Sequence, residues 1–102
     1  MDRRGGAYAS KPRPVVILQD DAFARTDAVT VAPLTSVLID APLLRVRVGQ
    51  GALSGLDHDS DIMIDKLTTV RRSNVGTRVG GLSVEQMVEV ERAIMAFLGL
   101  AR

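Results

Sequence analysis

Lys11-Pro12-Arg13-Pro14-Val15-Val16-Ile17-Leu18-Gln19-Asp20-Asp21 holds the clearest strand signal in this chain. Val15 to Leu18 is a continuous β-branched and aliphatic run closed by two acids, which is the pattern of a buried strand. Pro12 and Pro14 lack a donor N–H, so they fit the entrance of such a strand and not its middle. They also restrict the backbone of Arg13, which lowers the entropy lost in positioning its guanidinium. Taken by themselves, these four residues read more simply as a stiff loop with a surface arginine.

Outward from this strand the same period returns. Ala28 to Ala32 alternates Val29 and Val31 around Thr30 and is closed by Pro33, which predicts a second strand. Leu43 to Val48 sets Arg45 and Arg47 on one side and Leu44, Val46 and Val48 on the other. Asp61 to Leu67, continued by Thr68-Thr69-Val70, reads as one further β-like stretch, and Gly76, Gly80 and Gly81 as turns. Several short strands at close spacing predict a small antiparallel barrel and not alternating β–α units. The end of the chain changes period. Ser83 and Gln86 form a capping-box pattern. Val84, Met87, Val88, Ile94, Met95 and Leu98 recur at three- and four-residue spacing, and Gly99 sits where a left-handed cap falls. A helix near 84–98 is expected, packing this apolar stripe on the barrel.

Composition bounds the rest. One domain over residues 1–102 is the reading of 102 residues with 46% apolar content. The absence of cysteine excludes disulfides and Cys-ligated metals and makes a reducing cytoplasm the simplest compartment. No apolar run approaches the roughly 20 residues of a membrane span, and Met1 to Gly6 is basic with no apolar segment behind it. The net charge is +1, yet Arg3, Arg4, Lys11 and Arg13 cluster at the start, and Lys66, Arg71, Arg72 and Arg78 lie in an acid-free run. If these stretches meet they form a phosphate-binding face; a solvated, unpatterned surface fits the same counts.

Asp57-His58-Asp59-Ser60-Asp61 looks metal-like, but a calcium loop needs Gly at its sixth place and Glu at its twelfth, where Ile62 and Thr68 stand. A solvated acidic turn is the better reading, and no metal or cofactor is called for. His58 is the only histidine, and it reads more simply as a loop residue than as a catalytic base.

The ordered pieces resemble the MazF/PemK toxins. Arg13-Pro14-Val15-Val16-Ile17-Leu18-Gln19, Ala32-Pro33-Leu34-Thr35-Ser36, Ala41-Pro42-Leu43-Leu44-Arg45-Val46 and Ile62-Met63-Ile64-Asp65-Lys66-Leu67-Thr68-Thr69-Val70 are similar to successive segments of that family. Gly76, Arg78, Gly80, Leu82 and the closing Phe97-Leu98-Gly99-Leu100-Ala101 complete the match, which runs from about Ala7 to the C-terminus. The resemblance implies an SH3-like antiparallel barrel with a C-terminal helix, a homodimer, and a toxin of a type II toxin–antitoxin pair. It implies metal-independent, sequence-specific cleavage of single-stranded mRNA, blocked by a cognate antitoxin protein.

Matched position by position, Arg13 and Thr35 fall on catalytic residues, and Asp65 on an aspartate that some members place near the scissile phosphate. Those members carry an arginine two residues earlier, where Met63 stands here. Lys11, Ser36, Lys66 and Arg71 are the expected RNA contacts, with the loops at 37–42 and 50–59 lining the groove. Members also have a full first strand before the Lys11 to Pro14 segment. Met1 to Gly6 does not read as one, so the first strand is expected to be truncated or replaced. Two other readings follow: an inactive homologue that binds antitoxin only, and a CcdB-like gyrase poison. Leu98-Gly99-Leu100 resembles the end of that poison, but its tryptophan is missing.

Overall fold

The computed structural model describes residues 13–100. Lys11 and the expected change to the first strand lie outside them. Five strands and one helix follow in order: β1 (Val15–Ile17), β2 (Ala28–Thr35), β3 (Arg45–Val48), β4 (Ser60–Met63), β5 (Thr68–Arg71) and α1 (Val84–Phe97). All pairings are antiparallel, and β2 is the strand on which they converge. One edge of β2 pairs with β1, Val15 opposite Pro33. The other edge pairs with β5 over Ala28 to Val31 and with β4 at Leu34 and Thr35, and β3 lies outside β4. The predicted antiparallel β architecture with a C-terminal helix is what forms. The sheet is bent but open, since among the described residues no pairing joins β1 to β3.

Pro33 does not end the second strand as its position predicts; β2 runs through it to Thr35. The amides of Leu18 and Leu34 close bonds across β1, to Thr30 and Pro14 carbonyls, each at 3.0 Å. In a pleated strand alternate residues address the same edge, so Pro33 turns its nitrogen to the other side. There it falls between Val31, the last residue paired with β5, and Leu34, the first paired with β4. The missing donor costs no ladder bond at that position.

Two apolar clusters sit on the two faces of β2. Ala32 and Leu34 join Val46, Val48, Leu56, Ile62, Ile64 and Val90 in the larger one. Val29 and Val31 pack with Val15 in the smaller, flanked by Val70 and Val75. The expected continuous stretch from Asp61 to Val70 is broken by a 3-10 corner at Ile64–Lys66. The corner lets the chain leave β3 and β4 and return along the first half of β2, with Ile64 driven fully into the larger cluster.

Gly80-Gly81 is not a turn. This extended segment crosses the 53–54 loop, Gly81 N–H reaching Leu53 O at 2.8 Å, and a Cβ on Gly80 would lie 2.2 Å from Ser54 O. Only glycine permits that approach.

The helix forms between the expected ends. Ser83 Oγ accepts from Gln86 N–H at 3.1 Å and Gln86 Oε1 accepts from Ser83 N–H at 2.8 Å. At the other end Leu100 N–H reaches Met95 O and Gly99 N–H reaches Ala96 O, with Gly99 at φ 75°, a Schellman motif. The buried stripe differs from the expected one. Val90 is fully buried, with Ala93 and Ile94 packed beside it, whereas Val84, Val88, Met95 and Leu98 are exposed. The helix packs chiefly on β3 and the 3-10 corner, so one narrow strip of its surface is covered. Among the described residues no helix is long and apolar enough to cross a membrane.

Candidate active site

The register of β1 on β2 carries Arg13 to a place opposite Thr35. Val15 pairs with Pro33, and the Leu34 amide bonds Pro14 O at 3.0 Å; one further step sets Arg13 against Thr35. Residues directly opposite in an antiparallel pair hold their Cβ atoms about 4.5–5.5 Å apart on one face. Arg13 is exposed there, and Thr35 is half-buried at the end of β2. The Thr35 Oγ1 accepts the Val37 N–H at 3.1 Å. Accepting that bond fixes the hydroxyl oxygen and leaves its proton free to be donated outward.

The row continues past Thr35. On its other side Thr35 faces Asp61 of β4, and Asp61 faces Arg47 of β3. Asp61 is 1% exposed, although the acidic segment reads in sequence as a solvated turn. Asp57, His58 and Asp59 are exposed, but Asp61 has entered β4 and points to the polar face between Thr35 and Arg47. A buried carboxylate needs partners. Arg47 Nε donates to Asp61 Oδ1, and the Ile39 N–H donates to Oδ2 at 3.2 Å. The guanidinium of Arg47 is accordingly held above its ordinary pKa, first by the Asp61 hydrogen bond and then by attraction to Asp61, Asp59 and Asp40. Asp59 acts elsewhere. Its Oδ1 accepts the Gln50 N–H at 2.8 Å and closes the base of the 50–59 loop.

The remaining predicted residues fall in different places. Ser36 is exposed directly after Thr35. Asp65 and Lys66 are exposed on the 3-10 corner, which lies against β2. Among the described residues no hydrogen bond or ion pair ties the Asp65 side chain to Arg13 or Thr35. Arg71 is opposite Ala28, at the far end of β2. At about 3.3 Å per residue that is roughly 23 Å from Thr35. The acid-free run also supplies Arg72, whose Nε reaches Thr26 O at 2.8 Å, and Arg78, whose Nε reaches Gly80 O at 3.0 Å. These two cations brace loops. Met63, which stands where some family members carry an arginine, faces Arg45 across the ladder, so a cation is present at that level on β3. The 37–42 loop does border the row, anchored to it through Ile39. Among the described residues no group of three or more His, Cys, Asp or Glu side chains is arranged to hold a metal.

Sequence reasoning missed Asp61 and Arg47. The signal was present as Arg45 and Arg47 alternating with valines, and as a polar Ser60-Asp61 pair leading directly into Ile62-Met63-Ile64.

A family model described as "PemK-like, MazF-like toxin of type II toxin-antitoxin system" matches residues 1–98. A protein of Mycolicibacterium smegmatis named "Probable endoribonuclease MazF" is 52% identical over 96 residues, covering 94% of this chain and 88% of that protein. The solved structure of the Mycobacterium tuberculosis toxin MazF-mt6 superposes with a TM-score of 0.83 at 26% identity, over 99% of this chain and 98% of the other. A mycobacterial endoribonuclease solved in complex with its cognate antitoxin shares the fold, with a TM-score of 0.79 at 20% identity over 99% and 93% of the two chains.

Proposed function

Since the chain belongs to the PemK-like, MazF-like family of toxins of type II toxin–antitoxin systems, we propose that it cuts single-stranded mRNA at a centre formed by Arg13 and Thr35. The observation that carries this reading is the register that sets the two residues opposite each other at the end of β2. In the reaction a ribose 2′-oxygen attacks the adjacent phosphorus, the O2′–P bond forms and the P–O5′ bond breaks. The 2′ proton is lost, the leaving 5′-oxygen gains one, and the products are a cyclic phosphate and a 5′-hydroxyl. Negative charge grows on the phosphate oxygens in the transition state. Arg13 neutralises it through charge-assisted, bidentate hydrogen bonds. Thr35 donates its hydroxyl proton to a phosphate oxygen, the lone pair being engaged by Val37 N–H. A guanidinium keeps its proton at any ordinary pH and is a poor base, so positioning of the 2′-hydroxyl supplies much of the acceleration.

Asp65 stands on the corner beside β2, with Lys66 next to it. Ser36 and the 37–42 loop line the path of the strand. Lys11 precedes Arg13, and Arg71 serves only an RNA long enough to follow β2 to its far end. The partners are a cognate antitoxin, which competes with RNA for this groove, and a second copy of the chain; the compartment is the cytoplasm. The gyrase-poison and inactive-homologue readings gain nothing from the Arg13–Thr35 pairing, which neither requires.

The test is incubation of the protein with a long single-stranded RNA in the presence of EDTA. Cutting at a few short sequences is expected, and Arg13→Ala is expected to slow it by roughly 10²–10³, the usual effect of removing one preorganised charge-stabilising donor. Equal cutting by Arg13→Ala, or cutting abolished by EDTA, would overturn the proposal.

A further inference from the structure

We infer that Arg47 is a second RNA-phosphate contact, aimed by the buried carboxylate of Asp61 at a phosphate flanking the scissile one. The inference rests on the ribonuclease reading and extends its site across the sheet. Thr35, Asp61 and Arg47 form one cross-strand row over β2, β4 and β3, and Arg13, two residues before β1, extends it when the β1–β2 register is continued. Three strand spacings of about 4.8 Å place the backbones of the two arginines roughly 14 Å apart. They therefore serve different phosphates of one strand.

The arrangement is that of a presented cation. Asp61 is 1% exposed, whereas the Arg47 side chain is 53% exposed. Only Nε of Arg47 is engaged by the carboxylate, and among the described residues its two terminal nitrogens have no protein partner. A guanidinium offers five donors in a rigid plane, and fixing one edge of it leaves the other pointing outward in a set direction. The same carboxylate takes the Ile39 N–H through its other oxygen. It thereby holds the 36–41 loop, which leaves the sheet at Thr35, in register with the guanidinium. A merely structural ion pair has no need of so exposed a cation, because well-packed apolar residues of similar volume serve stability as well or better.

The variants are chosen to avoid leaving Asp61 buried and unpaired. The double substitution Asp61→Asn with Arg47→Gln removes both charges and keeps an acceptor for Ile39 N–H. Arg47→Lys keeps an ion pair with Asp61 but loses the outward edge of the guanidinium. The probe is a synthetic single-stranded RNA spanning a sequence that the wild-type protein cuts, with a 2′-deoxy nucleotide at the scissile position. Its affinity is measured across a salt series, with melting curves for each protein.

The double variant is expected to bind on the order of 10- to 100-fold more weakly, as loss of charged hydrogen bonds does, and to lower the slope of log affinity against log salt by about 0.7. Arg47→Lys is expected to melt near the wild type and still bind about 10-fold more weakly; if the double variant does not fold, this single variant decides the matter. Wild-type affinity and slope in the folded variants would assign Arg47 to structure alone and overturn the inference, with the ribonuclease reading untouched. A wild-type protein that neither binds nor cuts RNA, or an Arg13→Ala protein that cuts normally, would overturn the reading itself.

Discussion

Thr35 stands at the end of β2, and both of its neighbours in the row bear charge: Arg13 just ahead of β1 and Asp61 on β4. Its hydroxyl is oriented by one backbone amide. Thr35→Val, which keeps the shape and removes the hydroxyl, is therefore expected to leave the fold largely intact and to slow RNA cutting by roughly 10- to 100-fold, the cost of a hydrogen bond to a charged oxygen. A cleavage time course on folded protein checks this. Gly80 works by lacking a side chain. A methyl there would lie 2.2 Å from Ser54 O, so Gly80→Ala must push the 53–54 loop off the 79–81 segment. It is expected to destabilise the protein by about 1–3 kcal/mol, as overpacking does. Thermal melting distinguishes this from a Gly76→Ala control on an exposed residue.

At the scale of elements, local chemistry is strongest in α1. The capping box satisfies one orphan donor and ties down the N-cap amide, and the Schellman closure satisfies the last carbonyls. Ser83→Ala is expected to cost about 1 kcal/mol and to lower Tm by roughly 4–8 °C, read by calorimetry. The strands are weaker locally, β1 having three residues and β3 to β5 four each, so each depends on its neighbour. The 3-10 corner shows this dependence. Nothing in Ile62-Met63-Ile64-Asp65-Lys66-Leu67 marks a break, because the apolar run reads as continuous strand. The break comes from the need of β4 and β5 to pair with different halves of the same β2.

At the scale of the whole molecule, β2 joins two apolar clusters through a single strand. Neither face is large enough to order without the other, and the protein is expected to unfold as one cooperative unit. Ile62→Ala in the larger cluster and Val31→Ala in the smaller should each lower Tm in a single transition by calorimetry and circular dichroism alike. Ile62→Ala is expected to be the costlier, at about 2–5 kcal/mol. Two separate transitions would show that the clusters are independent.

Periodicity was enough to find the strands, the helix and its caps, because those signals lie within a few residues of one another. The order of the segments was enough to single out Arg13 and Thr35 as candidates, since each lies close to a proline in a recognisable segment. What the tertiary structure alone decided were the features that depend on a distant partner. Pro33 is harmless because its nitrogen meets the gap between β5 and β4. Gly80 is required because the 53–54 loop crosses it. The apolar stripe of α1 is buried at Val90 and bare at Val88 because the sheet offers it one narrow strip. Asp61, which reads as part of a hydrated acidic turn, is the buried centre of the row because β3 brings Arg47 to it and β2 brings Thr35. Burial and pairing are properties of the folded neighbourhood, and a carboxylate carries no mark in sequence of which neighbours will enclose it.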